Sequence, residues 1–202
     1  MASAVSILAS MRVHCCKALY NYFMAIYTKR GDKGKTCLYC KDGTERVLKD
    51  SLRINALGAI DEVNSYLGVI VSLSKDHKLT NVIKEIQKNL MMISSILAGS
   101  RLYFSPASTH KLEKLMDKIE DKLPTLKNFI LPGGTKIASH LNFTRSLVRR
   151  AETIVVGLSK KEDVNPKILA YLNRLSDALF LLAREENYKE GVGEELWLVK
   201  KK

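Results

Sequence analysis

The sequence has few of the features that mark disulfide-rich, disordered or membrane-spanning proteins. Its 202 residues include four cysteines, too few for a disulfide scaffold of this length, and we expect them to be reduced. Eleven glycines and four prolines argue against long disordered tracts. No segment approaches the roughly 18 consecutive apolar residues of a membrane span, so no membrane partner is predicted. The length and the 46% hydrophobic content instead predict one domain with a sizeable core.

Metal-binding side chains are also sparse. Cys37 and Cys40 form a C-x-x-C pair, which would suit zinc or redox chemistry. A zinc site needs two further ligands, no second cysteine pair stands at the right spacing, and the four histidines are dispersed. We therefore favour ordinary reduced thiols and predict no metal ligands among the site residues.

Acidic residues are in deficit, with 21 Asp and Glu against 33 Lys and Arg, for a formal net charge of +12. Such an excess favours an anionic partner, such as a nucleotide, a nucleic acid or an acidic membrane. The lysines are scattered and their longest run is 200–202, so a solvated surface explains the excess equally well. Because basic and aromatic residues do not cluster, a nucleic-acid-binding bundle is the least favoured interpretation.

The first 23 residues differ from the rest of the chain. They contain no acidic residue but include Arg12, Lys17 and several serines, a composition compatible with a mitochondrial transit peptide. We expect residues 1–23 to be a leader or a start-site extension, disordered in either case. Residues 24–190 should form the helical domain and 191–202 a C-terminal tail. The expected location is cytoplasmic, or the mitochondrial matrix if residues 1–23 are a transit peptide.

After Leu48, apolar residues recur at three- and four-residue steps, the periodicity of amphipathic helices. Ser108 or Thr109 is the expected cap of the third helix, and Asn165 caps the last, with Pro166 at its first position. The predicted helices are 53–74, 78–103, 108–123, 135–159 and 165–188. Short connections between them predict an all-α fold, a five-helix antiparallel bundle. An irregular loop rich in Gly and Lys, with at most a short strand or hairpin, precedes it.

Two segments carry charge in a pattern that suits phosphate binding. The loop YTKRGDKGKT, residues 27–36, combines glycines, lysines and threonines, although such a stretch is more often an exposed turn. In the fourth helix, Arg145, Arg149 and Glu152 share one face, and two guanidinium groups in register can grip a polyphosphate. Arg149 and Glu152 can also pair, so a solvated stripe or an ion pair between subunits is the alternative. Arg150 points elsewhere.

Two other helices carry polar residues within an apolar pattern. In the last helix, Asn173 and Asp177 stand four residues apart, and Phe180 follows three residues later. In the first, Asp61 begins a similar polar cluster. Ordinary hydrogen bonds between helices would explain each cluster taken singly. A site at a helix or subunit boundary would explain these clusters, the loop and the arginines together.

Four segments match, in order, the signature motifs of one enzyme family. They are IYTKRGDKGKT, GAIDEVNSYLG, FILPGGTKIASHLNFTRSLVRRAE and YLNRLSDALFLLAR. They extend from Ile26 to Arg184, and the chain resembles the PduO-type ATP:cob(I)alamin adenosyltransferases, the corrinoid adenosyltransferase family. The resemblance implies a homotrimer of five-helix bundles with active sites between neighbouring subunits. It also implies transfer of the 5′-deoxyadenosyl group of ATP to cob(I)alamin, with release of tripolyphosphate.

The resemblance further implies roles for individual residues. Asp61 would pair with Arg145 across a subunit boundary, Phe129 would lie against the lower face of the corrin, and Phe180 would help to line that pocket. The residues implied to be catalytic are Arg145, Arg149, Phe129 and Asp61. Those implied to bind ATP or the corrin are Tyr27, Thr28, Lys29, Gly31, Asp32, Lys33, Gly34, Glu152, Asn173 and Phe180.

The ligands implied are ATP, Mg²⁺ and cobalamin as a substrate. A cobalamin reductase and an adenosylcobalamin-dependent acceptor enzyme are further partners that the resemblance allows. A protein that holds adenosylcobalamin for delivery to a mutase remains an alternative to the enzyme, and one chain can do both. Binding of nucleic acid is not expected.

Overall fold

The computed structural model describes residues 29–38 and 46–198. The predicted leader, Tyr27, Thr28 and Cys40 lie outside these ranges. A short hairpin comes first, in which β1 (Lys35–Cys37) pairs antiparallel with β2 (Arg46–Leu48) and Thr36 lies opposite Val47. Five helices follow within the described residues: α1 (Leu52–Leu73), α2 (His77–Leu97), α3 (Ala107–Glu120), α4 (Lys136–Ser159) and α5 (Pro166–Lys189). The predicted loop with a hairpin and the predicted five-helix bundle are confirmed.

Most helix boundaries differ from the prediction, by one to six residues. The α2 helix ends at Leu97, not at residue 103, because Gly99 turns the chain with φ of 104°. The α3 helix begins before Ser108, so neither Ser108 nor Thr109 caps it. Pro106 occupies the cap position, and the Ser108 hydroxyl instead donates a hydrogen bond to Asn89 of α2, at 3.2 Å.

The other predicted cap is confirmed. The Asn165 side chain accepts a hydrogen bond from the backbone N–H of Lys167 at 3.0 Å, and Pro166 opens α5. Thr135 caps α4 in the same way, because its hydroxyl accepts from the N–H of Ala138 at 3.1 Å. Each cap satisfies a backbone N–H in the first turn and so fixes where the helix begins. Both of these helices carry predicted site residues.

The helices pack in the spatial order α3, α5, α4, α1, α2. Helix α5 lies between α3 and α4 and buries residues around most of its circumference, including Tyr171, Leu175 and Leu179. Helix α4 contributes Leu141, Val148 and Val155 to the same core, while α1 packs against α4 and α2. Short connections make α1 antiparallel to α2 and α4 antiparallel to α5. Helices α3 and α5 run parallel, since Glu113 pairs with Arg174 and, further along both helices, Lys122 pairs with Glu185.

One helix in the described part of the chain, α1, has the length and mean hydropathy to cross a membrane. The same criterion is met by core helices of other proteins. In this fold α1 packs against two neighbours through residues that include Ile60, Leu67 and Ile70, all fully buried.

The turn before α4 is fixed by one side chain of α5. The buried Asn187 accepts a hydrogen bond from the N–H of Thr135 at 2.8 Å and donates one to the carbonyl oxygen of Gly133 at 3.0 Å. Between these residues, Gly134 has φ of +101°, and a Cβ there would lie 2.2 Å from the Asn187 side chain. The turn therefore requires glycine at this position, because the backbone has a positive φ and because no room is left for a Cβ atom.

This packing predicts that Gly134→Ala destabilises the fold by roughly 1–3 kcal/mol, because the methyl group displaces Asn187 and strains the backbone. The matched control is Gly157→Ala in α4, where an added Cβ meets nothing within 4 Å. That change should stabilise the helix by up to about 1 kcal/mol. Chemical denaturation of both variants measures the difference, and equal stabilities would contradict this role of Asn187.

Candidate active site

A cavity of about 930 Å³ opens between α3, α4 and α5 and the connection that joins α3 to α4. Its wall mixes aromatic rings, aliphatic side chains and charges of both signs. The side chains that matter most for its chemistry are Phe129, Ile130, Arg145, Arg149, Arg174, Asp177, Phe180 and Arg184. A cavity of this volume, with a few charged groups on an apolar wall, has the size and composition of a ligand site.

Arg145 and Arg149 stand one turn apart on α4 and both face the cavity. Arg145 is half-buried, its guanidinium carbon lies 6.0 Å from the centre of the Phe180 ring, and its Nε has no hydrogen-bond partner. Among the described residues, neither arginine forms an ion pair. Two unneutralised guanidinium groups on one wall favour a ligand with several anionic oxygens.

The neighbouring arginines differ in that a carboxylate partner neutralises the charge of each one. The pairs are Arg150 with Glu62, Arg174 with Glu113 and Asp177, and Arg184 with Glu194. Arg150 reaches away from the cavity to α1, as its position in the sequence predicted. The cavity therefore contains both neutralised and free cations, and the free ones lie together on α4.

Glu152 and Asn173 connect α4 to α5 beside the arginines. The Asn173 side-chain amide donates a hydrogen bond to Glu152 Oε1 at 3.0 Å. The ion pair considered between Arg149 and Glu152 does not form within the described chain, because Glu152 instead accepts this amide. Asn173 and Asp177 are exposed, so the polar residues of α5 lie on its open face and not in the core.

Two aromatic rings belong to the apolar part of the wall. Phe180 is half-buried below Arg145, whereas Phe129 is 79% exposed and projects from the connection before α4. An aromatic side chain this exposed makes few contacts within its own chain. Both rings are therefore available to an apolar ligand surface in the cavity.

The N-terminal loop and Asp61 lie elsewhere. None of the described residues 29–34 lines the cavity, and neither does Asp61, which is exposed on α1. Lys29 has φ of 56°, and a hydrogen bond of 2.9 Å from the N–H of Lys49 to the carbonyl of Gly34 joins the loop to the end of β2. Of the implied site residues, four line the cavity of a single chain: Phe129, Arg145, Arg149 and Phe180. Glu152 and Asn173 bond to each other outside that lining. Lys29, Gly31, Asp32, Lys33, Gly34 and Asp61 do not line the cavity either.

No role for Arg184 or Glu194 is predicted from the sequence. Arg184 is 5% exposed, lines the cavity and bonds to Glu194 at 2.6 Å. One signal could have identified it, since it follows the apolar run Leu181–Ala183 in a helix that buries most of its surface. A cation in that position requires a partner. The described residues hold no cluster of three His, Cys, Asp or Glu that could bind a metal ion.

Comparison with known proteins agrees with this geometry. The family described as "Cobalamin adenosyltransferase" matches residues 26–186. A corrinoid adenosyltransferase of Bacillus subtilis is 41% identical over 85% of this chain and 91% of its own length. This chain belongs to the PduO-type corrinoid adenosyltransferase family. The human corrinoid adenosyltransferase is 38% identical, over 86% of this chain and 73% of its own.

Solved structures of the family extend the agreement to the fold. A variant of the PduO-type ATP:corrinoid adenosyltransferase of Lactobacillus reuteri, complexed with cobalamin and ATP, superposes with a TM-score of 0.81. It is 37% identical to this chain, and the match covers 86% of this chain and 99% of that protein. The five-helix bundle is therefore the corrinoid adenosyltransferase fold.

The free arginines generate a prediction about anion binding. Arg149→Ala should weaken binding of inorganic tripolyphosphate about tenfold or more, because a charge-assisted hydrogen bond contributes roughly 1.5–3 kcal/mol. Arg150→Ala is the matched control, since its partner is Glu62 on α1 and its charge lies outside the cavity. Isothermal titration calorimetry measures both. Equal losses in the two variants would show that net charge, and not the cavity, binds the anion.

Proposed function

We propose that this chain transfers the 5′-deoxyadenosyl group of ATP to cob(I)alamin, forming adenosylcobalamin and releasing tripolyphosphate. The observation that carries the proposal is the pair of unneutralised arginines, Arg145 and Arg149, beside an aromatic wall in one large cavity. Membership of the corrinoid adenosyltransferase family supports the same reaction.

In this reaction the electron pair of cobalt(I) attacks the 5′-carbon of the ribose. A cobalt–carbon bond forms, the bond from that carbon to the phosphate oxygen breaks, and tripolyphosphate leaves with the bonding electrons. The metal centre of the substrate is the nucleophile, so no side chain needs that role. Arg145 and Arg149 stabilise the charge that develops on the leaving oxygens. Mg²⁺ enters with the nucleotide as part of the substrate.

The aromatic wall serves the corrin. An exposed phenylalanine ring such as Phe129 can cover the lower face of the macrocycle and exclude a lower axial ligand. Without that ligand, cobalt(II) accepts an electron more readily and reaches the nucleophilic state. Phe180 places a second apolar surface next to Arg145, so the wall connects the corrin end of the cavity to the phosphate end.

The complete site lies between subunits of a homotrimer. Within one chain, residues 29–34 and Asp61 do not line the cavity, and the Arg145 Nε has no acceptor among the described residues. A neighbouring protomer would supply both needs, with Lys29 and Lys33 directed at the phosphates and Asp61 paired with Arg145. A reductase that delivers the electron and an acceptor enzyme for the product are further partners of this reaction.

The role of Phe129 is tested by Phe129→Ala, which should retain ATP affinity and lose most turnover, because reduction of the corrinoid becomes harder. The control is Tyr188→Ala, an exposed aromatic residue outside the cavity. Turnover is measured from the visible spectrum with ATP, Mg²⁺ and corrinoid under a reducing system. Unchanged turnover in Phe129→Ala would remove this residue from the mechanism.

The location of the site between subunits is tested by mixing two inactive variants, Lys33→Ala and Arg149→Ala. If the loop of one protomer completes the cavity of the next, random assortment in a trimer restores roughly a quarter of the sites. The mixture is unfolded and refolded together, and each variant refolded alone is the control. Activity that stays at the level of the separate variants would place both residues in the same protomer's site.

A further inference from the structure

The segment that presents Phe129 is paired with the C-terminal tail. Ile130 forms an isolated antiparallel bridge with Leu196. The N–H of Leu131 donates to the carbonyl oxygen of Glu195, and the N–H of Trp197 donates to that of Phe129, both at 2.8 Å. Because the Phe129 ring is largely exposed, its position depends on its backbone, and the described tail supplies these hydrogen bonds to that backbone.

An ion pair between a buried arginine and a half-buried glutamate joins the tail to the bundle. Arg184 of α5 donates to Glu194 through two nitrogens, at 2.6 and 3.2 Å, and also donates to the carbonyl oxygen of Pro124 at 2.8 Å. Arg184 therefore contacts the tail and the start of the connection that carries Phe129. Removing Glu194 would leave a buried cation without its anion, a strongly unfavourable state.

The other end of the connection is held by the last turns of α5. Asn187 bonds to Gly133 and Thr135, and its backbone carbonyl accepts a hydrogen bond from the N–H of Val192 at 2.9 Å. The tail thus leaves α5 beside one end of the connection and reaches Glu194 beside the other end. Between these points, residues 129–131 are paired along their backbone with the tail.

We propose that the ion pair between Arg184 and Glu194 is a positioning device for the corrin end of the site. It docks the tail, and the docked tail holds Phe129 and Ile130 at the cavity. The inference rests on the proposed function for the role of Phe129 toward the corrin. The phosphate end does not depend on it, because Arg145 and Arg149 project from α4, which is fixed by the core. The pair therefore governs corrinoid binding and leaves nucleotide binding unchanged.

The docking itself can be measured without catalysis. Trp197 is the only tryptophan of the chain, so its fluorescence anisotropy reports motion of the tail. In Glu194→Gln we expect lower anisotropy at Trp197 and faster amide hydrogen exchange at Leu131 and Trp197. Glu194→Asp preserves the charge and should retain most of the docking. Glu190→Gln is the matched control, since Glu190 is exposed and its carboxylate has no hydrogen bond or ion pair within residues 29–38 and 46–198.

The functional consequence is measured as the Kd of cobalamin, read from its visible spectrum in the presence of ATP. We expect Glu194→Gln to raise this Kd roughly tenfold, the effect of losing one charge-assisted hydrogen bond. The KM for ATP should stay within about twofold of wild type, since Arg145 and Arg149 are unchanged. Glu194→Asp should restore corrinoid binding to near the wild-type value.

The outcomes separate the two proposals. A released tail with an unchanged cobalamin Kd overturns the positioning role, and so does a tail that stays docked in Glu194→Gln. If the wild-type chain binds cobalamin without adenosylating it, the proposed function fails. Even in that case, a higher Kd for cobalamin in Glu194→Gln would support the positioning role. If ATP and cobalamin binding weaken together, the change is a general loss of structure and overturns the selective role.

Discussion

The contact between α4 and α5 is the constraint on which the site depends. Each helix buries an apolar face in the common core, which fixes its rotation about its own axis. Leu141, Val148 and Val155 of α4 are fully buried, and this leaves Arg145 and Arg149 on the side that faces the cavity. On α5, the same packing places Phe180 below Arg145. A shift of α4 by one residue would rotate the guanidinium groups by about 100° and separate them from that wall.

The distribution of charge on the cavity wall determines which ligand the wall can bind. The cavity region contains several arginines, and carboxylates neutralise those that have a structural task, such as Arg184, which is held by Glu194. Arg145 and Arg149 lack such partners in the described chain and stand one turn apart. Two unpaired like charges at this separation repel each other, and a polyanionic ligand removes that repulsion. The positive charge is therefore concentrated where the proposed reaction would form tripolyphosphate, close to an apolar surface that suits a corrin.

The elements that could be predicted from the sequence are those with local signals. Helical periodicity located all five helices, and Asn165 with Pro166 marked the start of α5 because a cap acts within a few residues. The apolar pattern does not mark the end of α2, because it continues beyond the turn at Gly99. The start of α3 carries no local signal, because its cap residue makes no side-chain hydrogen bond and the polar Ser108 stands two residues after it.

The site was predictable only in part, for a similar reason. The spacing of Arg145 and Arg149 along one helix implied a shared face, and the structure places both at the cavity. The pairing of residues 129–131 with the tail joins segments over 60 residues apart through one isolated bridge, which leaves no periodic pattern in the sequence. The partner of Arg184 could not be identified either, because Glu194 lies in a tail without regular structure. Helical spacing likewise could not show that Asp61 and residues 29–34 do not line the cavity of their own chain.

The central claim is that the free arginines bind a triphosphate that leaves intact when the ribose carbon is captured. Phosphorus-31 NMR of a reaction containing the protein, ATP, Mg²⁺ and chemically reduced cobalamin tests it most directly. One tripolyphosphate for each adenosylcobalamin formed is the predicted result. Formation of ADP and phosphate, or of AMP and pyrophosphate, in step with consumption of the corrinoid would contradict it.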